Sequence, residues 1–503
     1  MDKLQKIVSL CKRRGFVFPN SEIYGGIQGF YDYGPLGTLM KNNIKKLWIN
    51  EMIQKHDNVE LIDGSIITHP RVWEASGHVK SFSDPLVDCK KCKKRFRADN
   101  LIEDWSLSQP ESHDKLLKHN KNEDGSAGDL SVDEMNELIS AKIKCPECGG
   151  ELTEIKKFNL LVETSLGVVE GEKRSTYLRG EACQNIYLDY KNVLDSMRKK
   201  IPFGICQIGK AFRNEITPGQ FLFRQREFEQ WDLQWFCKLS EMEKWYEYWK
   251  EERMKWYRGL VNNQENLNFK QHSEKELAHY AKIAFDIQYK TELGWKEWEG
   301  IHWRGDWDLS KHGEFSNNDF TYTEENKGEK FVPQIVETSG GVDRTFLFLM
   351  LDAYEEEDGN ISIAPPPNPL LRKEGDRRST APSKQGNLSN DIRVVLKLRP
   401  DIAPYKVAIF PLMRNKENIV AKAKSIYDGL KMKFMTAWDD NGNVGKRYRR
   451  QDEIGTPWCV TVDYQTLEDG TVTIRDRDTM AQVRVVAGDL EGWIGEKLSR
   501  CGI

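Results

Sequence analysis

Two closely spaced cysteine pairs constrain this chain more than any other feature of its sequence. Cys89 and Cys92 form CKKC, and Cys145 and Cys148 form CPEC, with two glycines directly after the second pair. Each CxxC turn directs two thiolates at one point, which is typical of tetrahedral zinc. Four cysteine ligands leave no open position on the ion for catalysis. The pattern therefore predicts a structural zinc site, with a redox dithiol or four unrelated buried cysteines as alternatives.

Length and shifts in composition predict several domains. A chain of 503 residues exceeds the usual size of one domain. Residues 86–155 are polar and weakly periodic, as expected for an insertion between residues 1–85 and residues 156–358 of one larger domain. Residues 359–391 are rich in Pro, Ser, Asn and charge, which predicts a linker or mobile excursion. Residues 392–503 alternate strand and helix patterns and predict a small α/β domain with a largely parallel sheet.

Charge and apolar content exclude two broad classes of protein. The net charge of -3 argues against a broadly basic nucleic-acid coat, so a phosphate-rich partner must meet local patches such as KCKKRFR and GKRYRR. The N-terminus lacks the apolar core of a signal peptide. The richest apolar run, TFLFLML at 345–351, is too short to span a bilayer and predicts a buried helix. The ten cysteines are then expected to be thiols or metal ligands in the cytoplasm.

Apolar spacing predicts several elements of the larger domain. TLMKNNIKKLWINEMIQK, which follows the glycine-rich YGGIQGFYDYGPLG, repeats apolar residues at helical spacing. VELIDGSIITHP (59–70) predicts a strand that ends at the proline, and residues 239–260 predict a helix. Trp245, Trp249 and Trp256 lie along one side of that helix, where we expect them to pack in the core rather than bind a ligand.

The stretch AFRNEITPGQFLFRQREFEQWDLQWF (211–236) predicts an antiparallel strand pair with charges around its turn. FGICQIGKAF (203–212) is the first strand, a Pro-Gly break opens the loop, and FEQWDLQWF is the return strand. Arg213, Arg224 and Phe228 could hold a nucleotide, because guanidinium forks match phosphate oxygens and an aromatic face suits a base. On chemistry alone, surface ion pairing explains the same residues about as well.

A resemblance to a known enzyme family decides between these interpretations. FRNE followed by FRQREFEQ resembles motif 2 of the class II aminoacyl-tRNA synthetases, and GGVDRTFLFLMLDAY (340–354) resembles their motif 3. YDYGPLGTLMKNNIKKLW and the following strand resemble motif 1, the dimer-forming element. Within that class, GGIQGFYDYGPLG, FRNEITPG and DYQTLEDGTVTIRDRDTMAQ (463–482) look like the dimeric glycyl-tRNA synthetases. The motifs occur in the family's order over nearly the full chain.

The resemblance implies an α+β multidomain fold. An antiparallel-sheet class II catalytic core would carry a zinc-binding insertion and be followed by a C-terminal α/β anticodon-binding domain. The implied activity is that of a glycine–tRNA ligase, which uses ATP and Mg²⁺ to form glycyl-adenylate and transfers glycine to the 3′ end of tRNA(Gly). The implied partners are tRNA(Gly), glycine, ATP and a second copy in a homodimer, with no membrane. Basic KRYRRQDEIG (446–455) would meet the tRNA backbone.

On the nucleotide side, the resemblance assigns three catalytic residues. Arg213 would hold the α-phosphate and stabilise the pentavalent transition state, and Glu215 would read the adenine amino group. Arg344 would sandwich the adenine ring with Phe228, the loop arginines would grip the outer phosphates, and Glu297 would help to place magnesium. The full set implied to bind ATP is Arg213, Asn214, Glu215, Phe223, Arg224, Gln225, Arg226, Glu227, Phe228, Glu297, Trp298, Gly341, Val342, Asp343 and Arg344.

The implied glycine pocket is small and acidic. Glu181 in LRGEACQ and Glu337 in VETSGG match family carboxylates that hold the substrate ammonium, and Arg97 in RFRAD matches another substrate contact. Ser339 would help to exclude any side chain, so no hydrolytic editing site is required. The full set implied to bind glycine is Arg97, Glu181, Phe228, Glu229, Gln230, Trp231, Asp232, Glu337, Thr338, Ser339, Gly340 and Gly341.

The chain departs from the family pattern around the amino acid and not around the nucleotide. RGEACQN stands where the family usually has Arg-Pro-Glu-Thr-Ala-Gln-Gly, so that Gly180 replaces a proline, and Asp232 stands where glutamate is common. Thr338 and Gly340 replace proline and alanine. Two alternative functions stay open: a class II ligase for another small amino acid, such as serine, threonine or proline, and a synthetase-like nucleic-acid-binding protein without catalysis. The intact nucleotide residues argue against the second.

Overall fold

The computed structural model describes residues 2–108, 130–169, 173–216, 218–272, 282–292, 294–324, 328–358 and 392–501. The predicted linker at 359–391 and the centre of the insertion lie outside these residues, so what was expected of them stays a prediction.

The first part of the larger domain supplies one sheet edge and the helices beside it. Its elements are α1 (Lys3–Arg14), β1 (Val17–Pro19), β2 (Tyr31–Tyr33), α2 (Pro35–Ile49), β3 (Val59–Ile62), α3 (Pro70–Ala75) and α4 (His78–Ser81). α2 begins at a proline, whose fixed φ suits a first helical turn, and continues into a π-helical turn at Asn50–Gln54. The side chains of Ile44, Trp48 and Met52 are buried in the main core, as their spacing predicts.

The strand predicted at 59–70 is only partly correct. β3 ends at Ile62, and Pro70 begins α3 rather than ending a strand. Between them, Ile67 makes only an isolated bridge to Leu178. The proline acts as the first residue of a helix, a position where its missing N–H costs nothing.

In its described residues, the module around the cysteine pairs consists of three strands and two helices. β4 (Ser83–Asp88) lies between β5 (Arg95–Arg97) and β6 (Lys156–Asn159) in an antiparallel sheet. The helices α5 (Ala98–Ser108) and α6 (Val132–Lys142) share an apolar core with this sheet. Because β6 pairs with β4, the sheet of the module extends past both predicted boundaries of the insertion.

A seven-stranded sheet organises the second part of the larger domain. Its elements are β7 (Val162–Leu166), β8 (Arg174–Leu178), α7 (Gln184–Leu188), α8 (Tyr190–Ser196), β9 (Phe203–Phe212), β10 (Glu227–Cys237), α9 (Met242–Leu260), β11 (Leu267–Gln271), β12 (Ile283–Thr291), β13 (Gly294–Gly305), α10 (Trp307–Ser316), β14 (Tyr322–Thr323), β15 (Lys330–Phe331), β16 (Gln334–Gly341), α11 (Val342–Ala353) and β17 (Tyr354–Asp358). The sheet order is β11-β12-β13-β16-β10-β9-β3. Only the edge pair, β3 with β9, is parallel. The antiparallel catalytic core expected from the resemblance is therefore present.

The tryptophan-bearing helix packs in the main core. α9 begins at Met242, after a 3₁₀ turn at Leu239–Glu241, so it starts later than predicted. The side chains of Trp249 and Trp256 are fully buried, and Trp245 packs partly buried against the same cluster. The core role predicted for this stripe is confirmed, as is the buried helix predicted for TFLFLML, which lies in α11.

The C-terminal domain has a mixed sheet rather than the largely parallel one predicted. Its elements are β18 (Ile392–Leu396), β19 (Val407–Pro411), α12 (Glu417–Leu430), β20 (Thr436–Trp438), α13 (Val444–Ile454), β21 (Trp458–Val462), α14 (Tyr464–Asp469), β22 (Thr471–Asp476), β23 (Gln482–Val486) and α15 (Leu490–Ser499). β20, β19 and β21 are parallel, whereas β22 and β23 join antiparallel. The connection at 463–470 is shorter than the roughly dozen residues that a parallel crossover needs, which forces β22 to return antiparallel.

Candidate active site

The predicted strand pair around residue 213 is present and carries the candidate site at one end. β9 and β10 pair antiparallel, from Phe203 opposite Phe236 to Phe212 opposite Glu227. On its other side β10 pairs with β16, which brings the glycine-rich end of β16 beside the start of β10. Residues from three separate stretches of sequence therefore meet at this end of the sheet.

A solvent-open cavity of about 820 Å³ lies at this end of the sheet. Three arginines and four carboxylates contribute to its walls, so charge rather than apolar surface dominates it. Most residues that the resemblance assigns to ATP lie here. The lining residues are Arg213, Glu215, Leu222, Phe223, Arg224, Gln225, Phe228, Glu229, Gln230, Glu297, Ser339, Gly340, Gly341, Asp343 and Arg344.

Arg213 is held by a carbonyl group and by aromatic rings. Its Nε donates to the carbonyl oxygen of Gly180 at 3.2 Å. Its guanidinium carbon lies 5.3 Å from the ring centroid of Phe228 and 5.2 Å from that of Phe82. No carboxylate among the described residues forms an ion pair with it, so its terminal N–H groups can serve a phosphate.

The other two arginines of the cavity contact carboxylates loosely. Arg344 Nη1 lies 3.3 Å from Glu297 Oε1 and donates to the Glu297 carbonyl oxygen at 3.0 Å. The charge of Arg344 is the main cause that lowers the pKa of Glu297. Arg224 Nε lies 4.0 Å from Glu215 Oε2, at the limit of an ion pair. Partly exposed pairs of this kind contribute little stability, so a bound phosphate can replace the carboxylate.

The expected sandwich of adenine between Phe228 and Arg344 is not assembled in this structure. Both residues line the cavity, but the guanidinium of Arg344 lies over the ring of Phe223, 4.6 Å from its centroid. The ring of Phe228 faces Arg213 instead. The roles of these residues toward adenine therefore stay predictions.

Two carboxylates of the cavity are neutralised by α2, the helix of the motif 1 resemblance. Lys41 Nζ lies 2.6 Å from Asp343 Oδ1 and 3.0 Å from Glu229 Oε2. The Tyr33 hydroxyl donates to Asp343 at 2.6 Å, and Lys45 Nζ lies 3.0 Å from Glu229 Oε1. Burial alone would raise the pKa of Asp343, but Lys41 lowers it. Glu229 and Asp343 thus act as fixed supports of the cavity wall.

A set of buried acids adjoins the cavity on the side of the predicted glycine pocket. Glu337 accepts hydrogen bonds from Arg304 Nη1 at 2.8 Å and from Gln234 Nε2 at 2.6 Å, and His302 Nδ1 lies 2.8 Å from its other oxygen. Burial alone would raise the pKa of Glu337, but Arg304 and His302 lower it. This carboxylate is therefore charged and fully engaged.

Glu181 is engaged in the same way. Its Oε1 accepts a hydrogen bond from Gln184 Nε2 at 2.8 Å, and its Oε2 lies 3.4 Å from His78 Nε2. Burial alone would raise the pKa of Glu181, but His78 and then Arg304 hold it well below its usual value.

Asp232 differs from both acids because it forms no close ion pair with any described residue. Its side chain is fully buried, and neither oxygen has a hydrogen-bond partner of normal geometry. Burial, and then the charge of Glu337, raise the pKa of Asp232 well above its usual value. Burial thus favours the neutral form of this carboxyl. Leaving a buried polar group unpaired costs about 1–3 kcal/mol, and such groups in folded proteins call for a specific explanation.

Gln230 and Gly340 define the wall between the cavity and these acids. Gln230 accepts a hydrogen bond from the Ala182 amide at 3.1 Å and donates to the Ser339 hydroxyl at 2.7 Å. A Cβ atom at Gly340 would lie 2.5 Å from Trp231 Nε1, closer than any real contact. Glycine at this position, where the family commonly has alanine, is thus required by the local packing.

Several predicted side chains lie away from the cavity. The Trp298 indole donates to the Thr345 hydroxyl at 2.8 Å, and the Trp231 indole donates to Glu299 at 3.1 Å, both in the core. These hydrogen bonds to acceptors in the core direct both rings away from the site. Other predicted residues outside the cavity wall are Arg97, Asn214, Glu181, Arg226, Glu227, Asp232, Glu337, Thr338 and Val342.

Sequence reasoning missed the basic residues that neutralise the buried acids. Arg304 and His302 lie on β13 and His78 begins α4, far along the chain from Glu337 and Glu181. The available signal was a set of charged residues in an otherwise apolar strand, because a charge buried in a strand requires a partner.

The four paired cysteines meet at one point. Their Sγ atoms all lie within 4.8 Å of one another, with Cys89 to Cys148 at 3.5 Å and Cys92 to Cys145 at 3.7 Å. Four thiolates that bind one zinc ion at about 2.3 Å lie about 3.8 Å apart in a tetrahedron. The donor set therefore fits a single tetrahedral zinc ion.

Arg97 ties this module to the cavity. Its guanidinium binds Asp84 and Asp99, with Nη1 3.1 Å from Asp84 Oδ2. Burial alone would lower the pKa of Arg97, but Asp99, Asp84 and Glu215 together raise it. Since Glu215 lines the cavity, this charge interaction relates the module to the nucleotide side of the site.

The basic segment at 446–455 is only partly available to a nucleic acid. Arg447 is buried and donates to the carbonyl oxygens of Asp440 and Gly442, and Arg450 forms an ion pair with Asp439. The expectation that the whole segment meets tRNA is therefore wrong for the buried Arg447, and it stays a prediction for the partly exposed Arg450. The guanidinium groups of both arginines close the turn before α13. The side chains of Lys446 and Arg449 are exposed.

Three domain families match the chain. The tRNA synthetase class II core domain (G, H, P, S and T) matches residues 166–354, and an anticodon binding domain matches residues 406–497. The glycyl-tRNA synthetase insertion domain 1 matches residues 84–131. Within the described part of the chain, no helix combines the length and apolar character needed to cross a membrane.

Full-length relatives agree with the domain matches. The glycine–tRNA ligase of Treponema denticola is 46% identical over 488 residues, which covers 97% of this chain and 95% of that protein. The glycine–tRNA ligases of Alkaliphilus oremlandii and Caldanaerobacter subterraneus subsp. tengcongensis are 45% and 46% identical, and each match covers 98% of both chains. The motifs, the antiparallel core and these relatives together show that the chain belongs to the glycine–tRNA ligase family of class II aminoacyl-tRNA synthetases.

Proposed function

We propose that this chain is a glycine–tRNA ligase that works in two steps. A carboxylate oxygen of glycine attacks the α-phosphorus of ATP, the bond to the outer two phosphates breaks, and pyrophosphate leaves. A terminal ribose hydroxyl of tRNA(Gly) then attacks the glycyl carbonyl carbon, and AMP leaves. Neither step needs a nucleophilic side chain, so catalysis consists of positioning and charge stabilisation.

One observation carries the proposal: a cavity rich in arginine adjoins a cluster of buried acids across the Gln230 wall. Arginines suit the phosphates of ATP, and acids suit the ammonium group of an amino acid. A site that has arginines and acids side by side therefore suits the joining of ATP and an amino acid.

Three residues have distinct roles in this proposal. Arg213, which no described carboxylate neutralises, stabilises the charge that develops on the α-phosphate. Asp232, the unpaired buried acid, accepts the substrate ammonium, whereas Glu181 and Glu337 keep their present partners and set the charge around it. Because Asp232 is shorter than glutamate by one methylene, the ammonium must approach it more closely.

The test is pyrophosphate exchange with each amino acid in turn. Glycine should support exchange, and serine, threonine, alanine and proline should not. Arg213→Ala should lower kcat about 10²–10³-fold, the size expected for loss of one transition-state donor. Exchange supported by another amino acid and not by glycine would refute the assignment of substrate. An unchanged rate in Arg213→Ala would refute the role of that arginine.

Magnesium fits the nucleotide side. The carboxylate of Glu297 is exposed, lines the cavity and lies beside Arg344, as expected for an ion that binds phosphates through few protein ligands. We propose that Glu297 helps to hold Mg²⁺. When bound, the ion supplies positive charge to the phosphates of ATP.

Zinc fits the four cysteines, and we propose that it stabilises the module and takes no part in the chemistry. The purified chain should contain one zinc ion, which Cys145→Ser should remove. Cys501→Ser is the matched control, because that thiol lies at the C-terminus outside the cluster, and it should keep the metal. Removal of zinc should increase hydrogen exchange in β4, β5 and β6 and leave the seven-stranded sheet protected. Global unfolding on removal would contradict a local role.

We further propose a homodimer that binds tRNA(Gly) through the C-terminal domain and works in the cytoplasm. Light scattering should give a mass near twice the 58.4 kDa of one chain. Lys446 and Arg449 are the exposed basic side chains of the 446–455 segment. Lys446→Ala should weaken tRNA binding and reduce its dependence on salt, since each phosphate contact adds to the salt slope.

A further inference from the structure

Arg213 lies over two aromatic rings, and one of them belongs to neither predicted set of site residues. Phe228 lines the cavity, but Phe82 does not. The guanidinium carbon of Arg213 lies at nearly equal distances from the two ring centroids, 5.3 Å and 5.2 Å. Both distances are within the range of a cation–π contact.

The backbone fixes Phe82 on both sides. Its amide donates to the His78 carbonyl oxygen at 3.2 Å, and its own carbonyl oxygen accepts from the Leu160 amide at 2.9 Å. Its ring also contacts the His78 imidazole, with the centroids 5.0 Å apart. Phe82 directly precedes β4, the strand that leads into the cysteine cluster. The ring is thus held where the catalytic sheet and the module meet.

Gly180 makes room for this ring. A Cβ atom at this position would lie 3.2 Å from Phe82 Cε1 and 3.1 Å from Leu161 Cδ2, tighter than ordinary contacts. The carbonyl oxygen of the same residue accepts the Nε hydrogen of Arg213. The glycine that replaces the family's usual proline therefore lets the Phe82 ring lie close to the carbonyl group that orients the guanidinium.

The two rings have different tasks if Phe228 stacks on adenine. Phe228 then divides its faces between the base and Arg213, whereas Phe82 contacts Arg213 from outside the cavity wall and takes no part in holding the base. We propose that Phe82 is a positioning residue for Arg213: its ring holds the guanidinium beside the α-phosphate while Phe228 engages the base. This inference rests on the proposed ligase function.

The test replaces the ring while keeping apolar volume. Phe82→Leu should lower kcat for glycine-dependent pyrophosphate exchange about 3- to 30-fold, the range of a cation–π contact, and leave KM for glycine within about twofold. Phe82→Tyr keeps the ring and should stay within about twofold of the original chain. Phe82→Met has a similar volume and no ring, so the same loss of kcat is expected as for Phe82→Leu. It replaces Phe82→Leu in the test if that variant does not fold.

Phe158→Leu is the matched control. Phe158 lies on β6 of the same module and also faces an arginine, with Arg95 5.0 Å from its centroid, but it is not among the residues that line the cavity. It should leave exchange unchanged. Equal losses of exchange in Phe158→Leu and Phe82→Leu would show that module stability is the cause and would overturn the inference.

A double-mutant cycle separates positioning from a merely structural role. In the Arg213→Ala background, Phe82→Leu should add no further loss of kcat, because the group it positions is gone. Additive losses, or a Phe82→Leu chain within twofold of the original, would overturn the inference while leaving the ligase function intact. A complete absence of glycine-dependent exchange in the unmodified chain would instead refute the ligase function itself.

Discussion

The two halves of the candidate site are built in opposite ways. On the nucleotide side the arginines are partly exposed and their carboxylate partners are loose, as in the 4.0 Å contact between Arg224 and Glu215. On the amino-acid side the charges are buried and closely paired, as in the 2.8 Å contact between Arg304 and Glu337. The arginines of the nucleotide side can exchange their carboxylate partners for a ligand. The buried charges of the amino-acid side instead stay paired around a small substrate.

The contrast between the two sides shows which charges can change partners and which must keep them for the chain to stay folded. Replacing a loose, partly exposed ion pair by phosphate costs little, so the arginines of the nucleotide half can take up phosphate groups at a small cost in stability. In the buried half, Glu181 and Glu337 depend on their partners, whereas neither oxygen of Asp232 has a hydrogen-bond partner of normal geometry among the described residues. The comparison therefore predicts large stability effects on the amino-acid side and kinetic effects on the nucleotide side.

The largest expected effect comes from breaking a buried pair. Arg304→Met removes the partner of both Glu337 and Asp308, which are themselves buried. We expect a loss of about 3–5 kcal/mol in the free energy of unfolding, because uncompensated buried charge remains. Chemical denaturation measures it. Lys311→Met breaks the exposed pair with Glu314 and should change stability by less than about 1 kcal/mol, so equal effects in the two variants would contradict the contrast.

The buried carboxyl of Asp232 should make the stability of the folded chain depend on pH. Its pKa is raised in the folded chain, so above the unfolded value of about 4 the folded chain keeps a proton that the unfolded chain releases. This carboxyl therefore lowers stability progressively as pH rises toward its folded pKa. Asp232→Asn carries no such proton. Its stability relative to the original chain should increase with pH, by up to about 1.4 kcal/mol per unit, while glycine-dependent exchange is lost.

Thermal unfolding from pH 4 to pH 8 measures this difference. A constant gap between Asp232→Asn and the original chain would show that the carboxyl does not change its protonation on folding. Retained exchange with glycine in Asp232→Asn would show that another group receives the ammonium.

The smallest effect is expected from a substitution that shifts the Phe82 ring slightly relative to Arg213. Gly180→Ala places a Cβ about 0.3 Å inside ordinary contact with Phe82 and Leu161, so the ring must shift slightly. We expect kcat for exchange to fall about two- to fivefold, with KM for glycine little changed. Gly429→Ala, in a C-terminal helix where a Cβ meets nothing within 4 Å, should leave exchange unchanged. An equal loss in both variants would contradict the steric explanation.

Local sequence predicted the nucleotide half better than the amino-acid half. The strand pair around residue 213 and the cluster of four cysteines follow from neighbouring residues, whose turn chemistry and spacing are visible in the sequence. The partners of Glu337 could not be predicted in the same way, because Arg304 and His302 are brought to it only by the pairing of β13 with β16. The isolation of Asp232 depends on every surrounding side chain, so no short motif encodes it. The mixed C-terminal sheet was missed because the length of one short connection decides the direction of β22.

The position of β16 has a consequence for synthesis on the ribosome. This strand emerges after the other six strands of the seven-stranded sheet, yet it lies between β13 and β10. A nascent chain that has not reached Gln334 therefore presents two open strand edges, one on each half of an unfinished sheet. Such edges invite pairing with other chains, and joining them late makes closure of the sheet slow. Chains released before this strand is made should depend on chaperones to avoid aggregation.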